Sequence, residues 1–82
     1  MNNLSKYDAV FIENLMVDTK DLPSLRYQEI DNWDSVGHMQ LMAALEEVFG
    51  IEMEIDDIIE FSSYEAGKSI LGKYNILIDS VA

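Results

Sequence analysis

Apolar residues recur at helical spacing between Asn32 and Gly50, which is the clearest pattern in the chain. On a helical wheel of about 100° per residue, the apolar arc consists of Met39, Met42, Leu45 and Phe49, with Leu41 and Val48 at its edge. Gly50 then stands where a left-handed residue commonly ends a helix. The pattern predicts a helix from Ser35 or Val36 to Phe49, with this arc in the core.

The opposite side of the same wheel faces outward and holds Val36, Gly37, Gln40, Ala43, Ala44 and Glu47. Val36 is therefore an apolar side chain that points to solvent directly beside Ser35. A single exposed valine is ordinary, but this position makes Val36 a candidate contact for another protein.

Weaker helical patterns occur on both sides of this segment. Near the amino terminus, Ser5 and Asp8 fit a capping box, and the predicted helix runs from about Ser5 to Val17. Its inward side chains are Tyr7, Val10, Phe11 and Leu15. Near the carboxyl terminus, Ser62 and Glu65 form a second capping box. The last helix then faces inward with Ala66, Ile70, Leu71 and Tyr74.

The segments between these helices are a long connection and a short helix. Residues 18–34 contain Pro23 and no sustained period, so they predict a loop anchored by Leu22, Leu25, Ile30 and Trp33. Residues 56–61 predict one or two helical turns anchored by Ile58, Ile59 and Phe61. Gly67 and Gly72 are expected to weaken the last helix by about 1 kcal/mol each relative to alanine. The tail, residues 75–82, is compatible with a helical extension or an extended end.

The predicted architecture is therefore all-α, with three main helices, one short helix and a long loop between the first two helices. A chain of 82 residues has room for one domain, so we expect a single domain over residues 1–82. Cysteine is absent from the sequence, which excludes disulfides and a thiolate nucleophile. The sequence shows no secretory leader and no apolar stretch of membrane-spanning length, so we expect a cytoplasmic, monomeric protein.

The charge is strongly negative and unevenly distributed. The formal net charge is −11, and no lysine or arginine occurs between Tyr27 and Gly67. Such a surface repels nucleic acid and anionic lipid, because both bind through cationic groups. It attracts basic patches on protein partners, although solubility alone is an equally good explanation of the charge.

Ser35 is the main candidate for a residue with a chemical role. A hydrolase interpretation would use Ser35 as nucleophile, His38 as base and Asp34 as orienting acid. Against it, Trp33 occupies the place of the first glycine of a nucleophile elbow, and His38 falls on the apolar side of the helix. A calcium loop also fails, because Trp33 and Met42 stand where oxygen ligands are required. The sequence predicts no metal site.

Two non-catalytic roles for Ser35 remain open from the residues alone. The hydroxyl could cap the helix by accepting a bond from a backbone N–H, a contribution of about 1 kcal/mol. Alternatively, a phosphate esterified to Ser35 would be stabilised by the free N–H groups and the positive dipole end of the helix. Asp34, a hard oxygen ligand, would suit a magnesium-assisted transfer onto that hydroxyl.

A resemblance favours the second role. The stretch WDSVGHMQLMAALEEVFGIEMEIDDI resembles the acyl carrier protein family, which is marked by Asp-Ser-Leu at the start of a helix and a later A-L-E-E-x-F. Here DSV, ALEEVFGIEM and SSYEAGKSILGKY keep that spacing over about half of the chain. The resemblance implies a four-helix carrier that is not an enzyme.

In this family, the serine receives 4′-phosphopantetheine from coenzyme A through a phosphopantetheinyl transferase, and the arm's thiol carries an acyl thioester. The resemblance thus implies attachment at Ser35 and delivery to acyl-activating, condensing or acyl-transfer enzymes with basic docking patches, in fatty-acid, polyketide or related biosynthesis. The residues that it places at partner surfaces are Asp34, Val36, Gln40, Ala43, Glu47, Asp56 and Asp57.

The departures from the family pattern favour a specialised stand-alone carrier. Gly37 and Gln40 stand where housekeeping fatty-acid carriers usually have acids, Val36 is smaller than the usual leucine, and Trp33 directly precedes the motif. Two alternatives remain: an aminoacyl or peptidyl carrier loaded by an adenylating enzyme, and an unmodified acidic interaction module. His38 is expected to bond the phosphodiester, to line the path of the arm or to pack as a buried ring.

Overall fold

Helices account for most of the computed structural model, which describes residues 2–78. The elements in chain order are α1 (Asn3–Leu15), a 3₁₀ helix (Thr19–Ser24), α2 (Ser35–Phe49), α3 (Ile55–Glu60) and α4 (Tyr64–Gly72). Residues 2–78 form no β-strand, and a single antiparallel bridge joins Arg26 to Ser63. The predicted all-α architecture is confirmed. The 3₁₀ helix within the long connection was not predicted.

α1 begins earlier than the sequence pattern predicted. The side chain of Asn2 accepts a 2.8 Å hydrogen bond from the Ser5 N–H, so Asn2 is the N-cap and Ser5 lies inside the helix. The predicted capping box of Ser5 and Asp8 is wrong, because Asp8 instead accepts a hydrogen bond from the Tyr64 hydroxyl. α1 ends at Leu15, and Met16 follows with a left-handed backbone (φ 56°).

The core is formed by side chains from α1, from α2, from the connection between them and from the chain that follows α2. Helix α1 packs mainly against α2, and the connection lies over α1 and α4. The centre of the core is a cluster of aromatic rings in which Phe11 contacts the rings of Tyr7, Trp33, Phe61 and Tyr64. These rings bury large apolar areas, which stabilises the small fold. Phe11 meets Tyr7, Trp33 and Tyr64 edge to face and stacks on Phe61.

The buried side of α2 is rotated relative to the predicted arc. Leu41, Met42 and Leu45 are buried as predicted, but Met39 is 58% exposed. The buried arc extends instead past Leu41 to Gly37, and it includes His38, which lies between Leu41 and Met42 on the wheel. Val48 is also exposed. Gly50 ends the helix with φ 65°, as predicted.

The connection between α1 and α2 is tied down at several points. Leu22, Leu25 and Trp33 are buried as predicted, and Ile30 is half-buried. The Asn32 side-chain amide donates a 2.9 Å hydrogen bond to the Leu15 carbonyl at the end of α1. That carbonyl would otherwise lack an intrahelical partner. The residues just before α2 are thereby fixed to α1.

α4 begins one residue later than the sequence pattern predicted. Ser63, not Ser62, is the N-cap, because its hydroxyl accepts a 2.9 Å hydrogen bond from the Ala66 N–H. Gly67 is buried, and a Cβ at this position would lie 2.2 Å from the Phe61 ring and 2.3 Å from the Tyr7 hydroxyl. The expectation that Gly67 merely weakens the helix is therefore incomplete, because only glycine fits there.

α3 and the end of α4 are joined by Asp57. Its carboxylate accepts hydrogen bonds from the Lys73 ammonium and the Tyr74 hydroxyl, and the same hydroxyl accepts one from the Glu54 N–H. Phe61 is buried as predicted, whereas Ile59 is 71% exposed. After α4 the chain leaves the helix at Asn75 (φ 65°), so the described part of the tail is not a helical extension. The rest of the tail prediction, residues 79–82, lies outside the described residues.

Candidate functional site

Asp34 caps the start of α2. Its Oδ1 accepts a 2.8 Å hydrogen bond from the Gly37 N–H, and its backbone is extended, as an N-cap requires. Ser35 is consequently the first helical residue and not the cap. The capping interpretation of Ser35 is wrong, because the neighbouring carboxylate already fills that role.

The Ser35 side chain is exposed at the mouth of α2. Its hydroxyl oxygen lies 3.2 Å from the hydroxyl oxygen of Tyr27, and either group can donate this hydrogen bond. The first N–H groups of a helix lack intrahelical partners and form the positive end of its dipole. The Ser35 oxygen is therefore accessible, and an anion attached to it would be stabilised.

Tyr27 reaches Ser35 because the connection folds back on itself. The Tyr27 N–H donates to the Ser62 carbonyl at 2.9 Å, and the Tyr64 N–H donates to the Leu25 carbonyl at 3.1 Å. A turn follows, in which Gln28 has φ 69° and its N–H donates to the Trp33 carbonyl at 2.9 Å. This turn brings residue 27 next to the start of α2.

Trp33, His38 and Ile58 form a hydrogen-bonded chain beneath the site. The Trp33 indole N–H donates to Nδ1 of His38 at 2.9 Å. Nδ1 is therefore the acceptor nitrogen, and the Nε2–H donates to the Ile58 carbonyl at 2.8 Å. His38 is 9% exposed, and both of its ring nitrogens have hydrogen-bond partners within the protein. The packed-ring expectation for His38 is confirmed.

These hydrogen bonds make His38 unavailable as the base of a hydrolytic site at Ser35. His38 uses both ring nitrogens on Trp33 and Ile58, and the hydroxyl of Ser35 meets Tyr27 instead. The Asp34 carboxylate binds a backbone N–H of its own helix. A triad requires a base that is hydrogen-bonded to the nucleophile and oriented by an acid, and these three side chains are arranged differently.

Gly37 allows the connection to approach α2 closely. A Cβ on Gly37 would lie 2.0 Å from the Asn32 carbonyl oxygen, closer than any real contact. The residue was predicted on the outward face, but the structure buries it under the connection. Its missing side chain is what lets Asn32 to Asp34 lie against the first turn of α2.

An apolar groove opens beside Ser35. It has a volume of about 290 Å³ and is lined by Tyr27, Ser35, His38, Met39, Ile58 and Ile59. Met39 and Ile59 were predicted to be core residues, but they form the exposed walls of this groove between α2 and α3. An apolar chain attached near Ser35 could be partly withdrawn from water there.

Most of the residues assigned to partner recognition lie on the surface. Val36 is 67% exposed, and Asp34, Gln40, Ala43, Glu47 and Asp56 are exposed as well. Asp57 is the exception, because it is 5% exposed and its carboxylate is bound by Lys73 and Tyr74. These hydrogen bonds lower the pKa of Asp57 below its usual value, so the group is an internal anion. We therefore remove Asp57 from the partner surface.

Three residues of the site were missed from the sequence: Tyr27, Met39 and Ile59. Tyr27 lies in the connection, where no periodicity indicates direction. Met39 could have been found, because it shares an i, i+4 stripe with Ala43, which faces outward. Ile59 adjoins Ile58 in a helix too short for its inward face to be read from a pattern.

The described structure is a small helical fold with an exposed serine at a helix start and an apolar groove beside that serine. In comparisons with known proteins, the family model described as "Phosphopantetheine attachment site" matches residues 9–66. The chain belongs to this family, whose members carry covalently attached 4′-phosphopantetheine. No curated protein and no solved structure matched the chain at the required level of similarity.

The residues present fit this group. Ser35 offers an accessible hydroxyl at a helix start, and an apolar groove adjoins it. Carriers of this family interact with phosphopantetheinyl transferases and biosynthetic enzymes. Within residues 2–78, no helix is long and apolar enough to cross a membrane. The same residues contain no group of three or more His, Cys, Asp or Glu side chains that could hold a metal ion.

Proposed function

We propose that Ser35 is the attachment site of 4′-phosphopantetheine and that the protein is an acyl carrier. The family match supports the prosthetic group, and the geometry of α2 supports the residue. Ser35 lies within the matched segment, is exposed, and is free of the capping role that Asp34 fills. No catalysis by the chain itself is part of this proposal.

The attachment is a phosphoryl transfer in which a separate transferase supplies the chemistry. The Ser35 Oγ forms a new bond to the phosphorus of coenzyme A that bears the pantetheine. The bond from that phosphorus to the nucleotide half breaks, and adenosine 3′,5′-bisphosphate leaves. The hydroxyl proton passes to a base of the transferase. Asp34 would assist as a magnesium ligand through its exposed carboxylate.

The loaded arm supplies a thiol, on which acyl groups are held as thioesters, in a chain that has no cysteine of its own. The protein contributes a tether, which raises the local concentration of the cargo at each docked enzyme to about the millimolar range. The apolar groove carries the proposal of an acyl cargo. Its exposed walls, Met39 and Ile59, offer hydrocarbon contacts beside the attachment point.

An aminoacyl or peptidyl cargo is the alternative within the same family. The groove favours the acyl cargo, because a charged amino group gains nothing from apolar walls. Mass spectrometry of the protein purified from its native host would identify the cargo, and hydroxylamine would release it from a thioester. A released amino acid would contradict the acyl assignment and leave the carrier function intact.

The attachment site is tested by incubation with coenzyme A and a broad-specificity transferase. We expect the wild-type protein to gain the mass of one phosphopantetheine and the Ser35→Ala variant to gain none. Ser69→Ala is the matched control, because Ser69 is an exposed serine on α4, and this variant should load normally. Wild-type protein that stays unmodified would overturn the proposal.

We also propose that Val36, Gln40, Ala43 and Glu47, with Asp34 and Asp56, form the docking surface for partner enzymes. Their exposure supports this role: Val36 adjoins Ser35, and Gln40, Ala43 and Glu47 follow on the same helix. Val36→Glu should raise the KM of the transferase, because an apolar contact is replaced by a charge. Val48→Glu is the control, since Val48 is exposed on the same helix but away from this surface. Equal KM values for the two variants would contradict the assignment of Val36.

A further inference from the structure

Tyr27 is held rigidly over the attachment point. Its ring lies 5.0 Å from the ring of His38 and 6.3 Å from that of Trp33, measured between centroids. Both neighbours are buried and hydrogen-bonded to each other. The Tyr27 N–H is bound to the Ser62 carbonyl. The hydroxyl that meets Ser35 is therefore fixed by its backbone and by its ring.

The segment that carries Ser35 contains no basic side chain of the lysine or arginine type. No lysine or arginine occurs between Tyr27 and Gly67, and the Asp34 carboxylate adjoins the serine. Beyond this segment, Lys68 pairs with Glu65 and Lys73 pairs with Asp57. Within this segment, the donors that a phosphate diester on Ser35 could use are backbone N–H groups and hydroxyls.

Esterification of Ser35 changes what Tyr27 can bind. The Ser35 oxygen loses its proton and becomes a weak acceptor, while the unbridged phosphate oxygens one bond further on carry negative charge. A hydroxyl donates to such an oxygen in a short bond of about 2.5–2.7 Å, roughly twice as strong as a neutral one. The Tyr27 hydroxyl already lies 3.2 Å from the serine oxygen. Rotation about its C–O bond is enough to redirect its proton.

We propose that Tyr27 is a phosphate-binding residue, whose hydroxyl donates a hydrogen bond to the phosphate on Ser35 and restrains the first part of the arm. This inference rests on the proposed attachment at Ser35. It assigns to a residue of the connection a direct contact with the prosthetic group. It also links the turn at Gln28 to the direction in which the arm leaves the protein, because that turn places Tyr27.

Phosphorus NMR of the fully loaded protein tests this contact. The references are the same loaded protein unfolded in urea, the Tyr27→Phe variant and the Tyr64→Phe variant. Tyr27→Phe keeps the ring and removes the hydroxyl. Tyr64→Phe is the matched control, because its hydroxyl binds Asp8 and Tyr64 does not line the groove. Mass spectrometry confirms complete loading of each sample.

We expect the folded wild-type phosphorus resonance to differ from that of the unfolded chain. In Tyr27→Phe it should move towards the unfolded position, and in Tyr64→Phe it should stay at the wild-type position. Carbon relaxation should show greater mobility of the arm atoms nearest the phosphate only in Tyr27→Phe. A wild-type resonance equal to that of the unfolded chain would overturn the inference without any variant.

The two proposals fail in different ways. Wild-type protein that gains no mass with coenzyme A and transferase would contradict attachment at Ser35 itself. Loaded wild-type and Tyr27→Phe proteins with the same phosphorus resonance and the same arm mobility would contradict only the role of Tyr27.

Discussion

Asp34 and Ser35 have separate roles at the start of α2, and stability measurements can distinguish them. Asp34→Ala removes the side chain that accepts the Gly37 N–H, and should lower the free energy of unfolding by about 1 kcal/mol. Ser35→Ala should change it by less than about 0.5 kcal/mol, because the exposed hydroxyl caps nothing. Urea unfolding measures both values.

Asp34→Asn is the control for this comparison, because asparagine caps as well as aspartate. It should retain the wild-type stability while it replaces the proposed anionic magnesium ligand with a neutral amide and slows loading. If Ser35→Ala destabilised the protein as much as Asp34→Ala, the assignment of the cap to Asp34 alone would be wrong.

Gly37 is required by the close approach of the connection. Gly37→Ala should destabilise the protein by about 2 kcal/mol, because the new methyl group overlaps the Asn32 carbonyl and forces the backbone apart. Gly72→Ala is the matched control. Nothing lies within 4 Å of a Cβ at that position, so the change should be neutral or stabilise by up to about 1 kcal/mol. The unfolding temperature should fall in Gly37→Ala and should stay the same or rise in Gly72→Ala.

At the scale of the elements, α2 and α3 together form the apolar groove. The stabilisation that the groove gives to an acyl-loaded protein should grow with the length of the acyl group. Each methylene that the groove covers contributes up to about 0.8 kcal/mol. We expect the unfolding temperature of acyl-loaded protein to rise with chain length until the groove is full. Ile59→Glu should reduce this rise, since Ile59 is an exposed wall. A flat series in the wild-type protein would show that the groove does not take the cargo.

The α3–α4 pair is joined by a carboxylate, and this join should depend on pH. Hydrogen bonds from Lys73 and Tyr74 lower the pKa of Asp57 below its ordinary value of 3.8. A lowered carboxyl pKa contributes stability above that ordinary value, and the contribution is lost as the pH falls through the folded-state pKa.

The stability difference between the wild-type protein and Asp57→Asn should therefore be present at about pH 7 and shrink below about pH 4. Comparison of the two proteins cancels the titration of the many other carboxylates. Urea unfolding across this range measures the difference. A difference that stayed constant with pH would contradict the ionised state of Asp57.

The elements were predictable where a pattern repeats over several turns. Helix α2 and its end at Gly50 follow from periodicity and a left-handed glycine. The exact starts of α1 and α4 were missed, because Asn2 and Ser63 compete with neighbouring serines that fit a capping motif equally well. The predicted buried face of α2 was rotated relative to the observed one, because an apolar residue such as methionine is counted as a core residue in a sequence pattern. Only the packing shows that Met39 faces solvent.

The sequence was enough to predict which residue is the candidate site, but not the arrangement of the side chains around it. Ser35 and Asp34 stand in a recognisable motif. The contact of Tyr27 with Ser35 depends on a turn and on a bridge to the α3–α4 connection. The turn places a non-glycine residue, Gln28, in the left-handed region, and the bridge is a long-range feature that no local pattern contains. The inward direction of Asp57 depends equally on Lys73 and Tyr74, which follow it by sixteen and seventeen residues.

At the scale of the whole molecule, the net charge of −11 opposes the compact state. Salt should relieve this repulsion, because the Debye length falls to about 10 Å at 0.1 M ionic strength. We expect the unfolding temperature to rise between very low salt and about 0.2 M salt. Sodium and potassium chloride should act equally, since the effect is one of screening. An unfolding temperature that is independent of salt would show that the acidic side chains are too far apart to repel.

The single tryptophan gives the molecule an internal optical probe. Trp33 is fully buried, is bonded to His38, and lies two residues before Ser35. Its emission should therefore be that of an indole shielded from water. An enzyme that draws the connection away from α2 would expose this ring and shift the emission to longer wavelength. Docking at the serine could thus be followed in real time by fluorescence, without a label and without altering a residue.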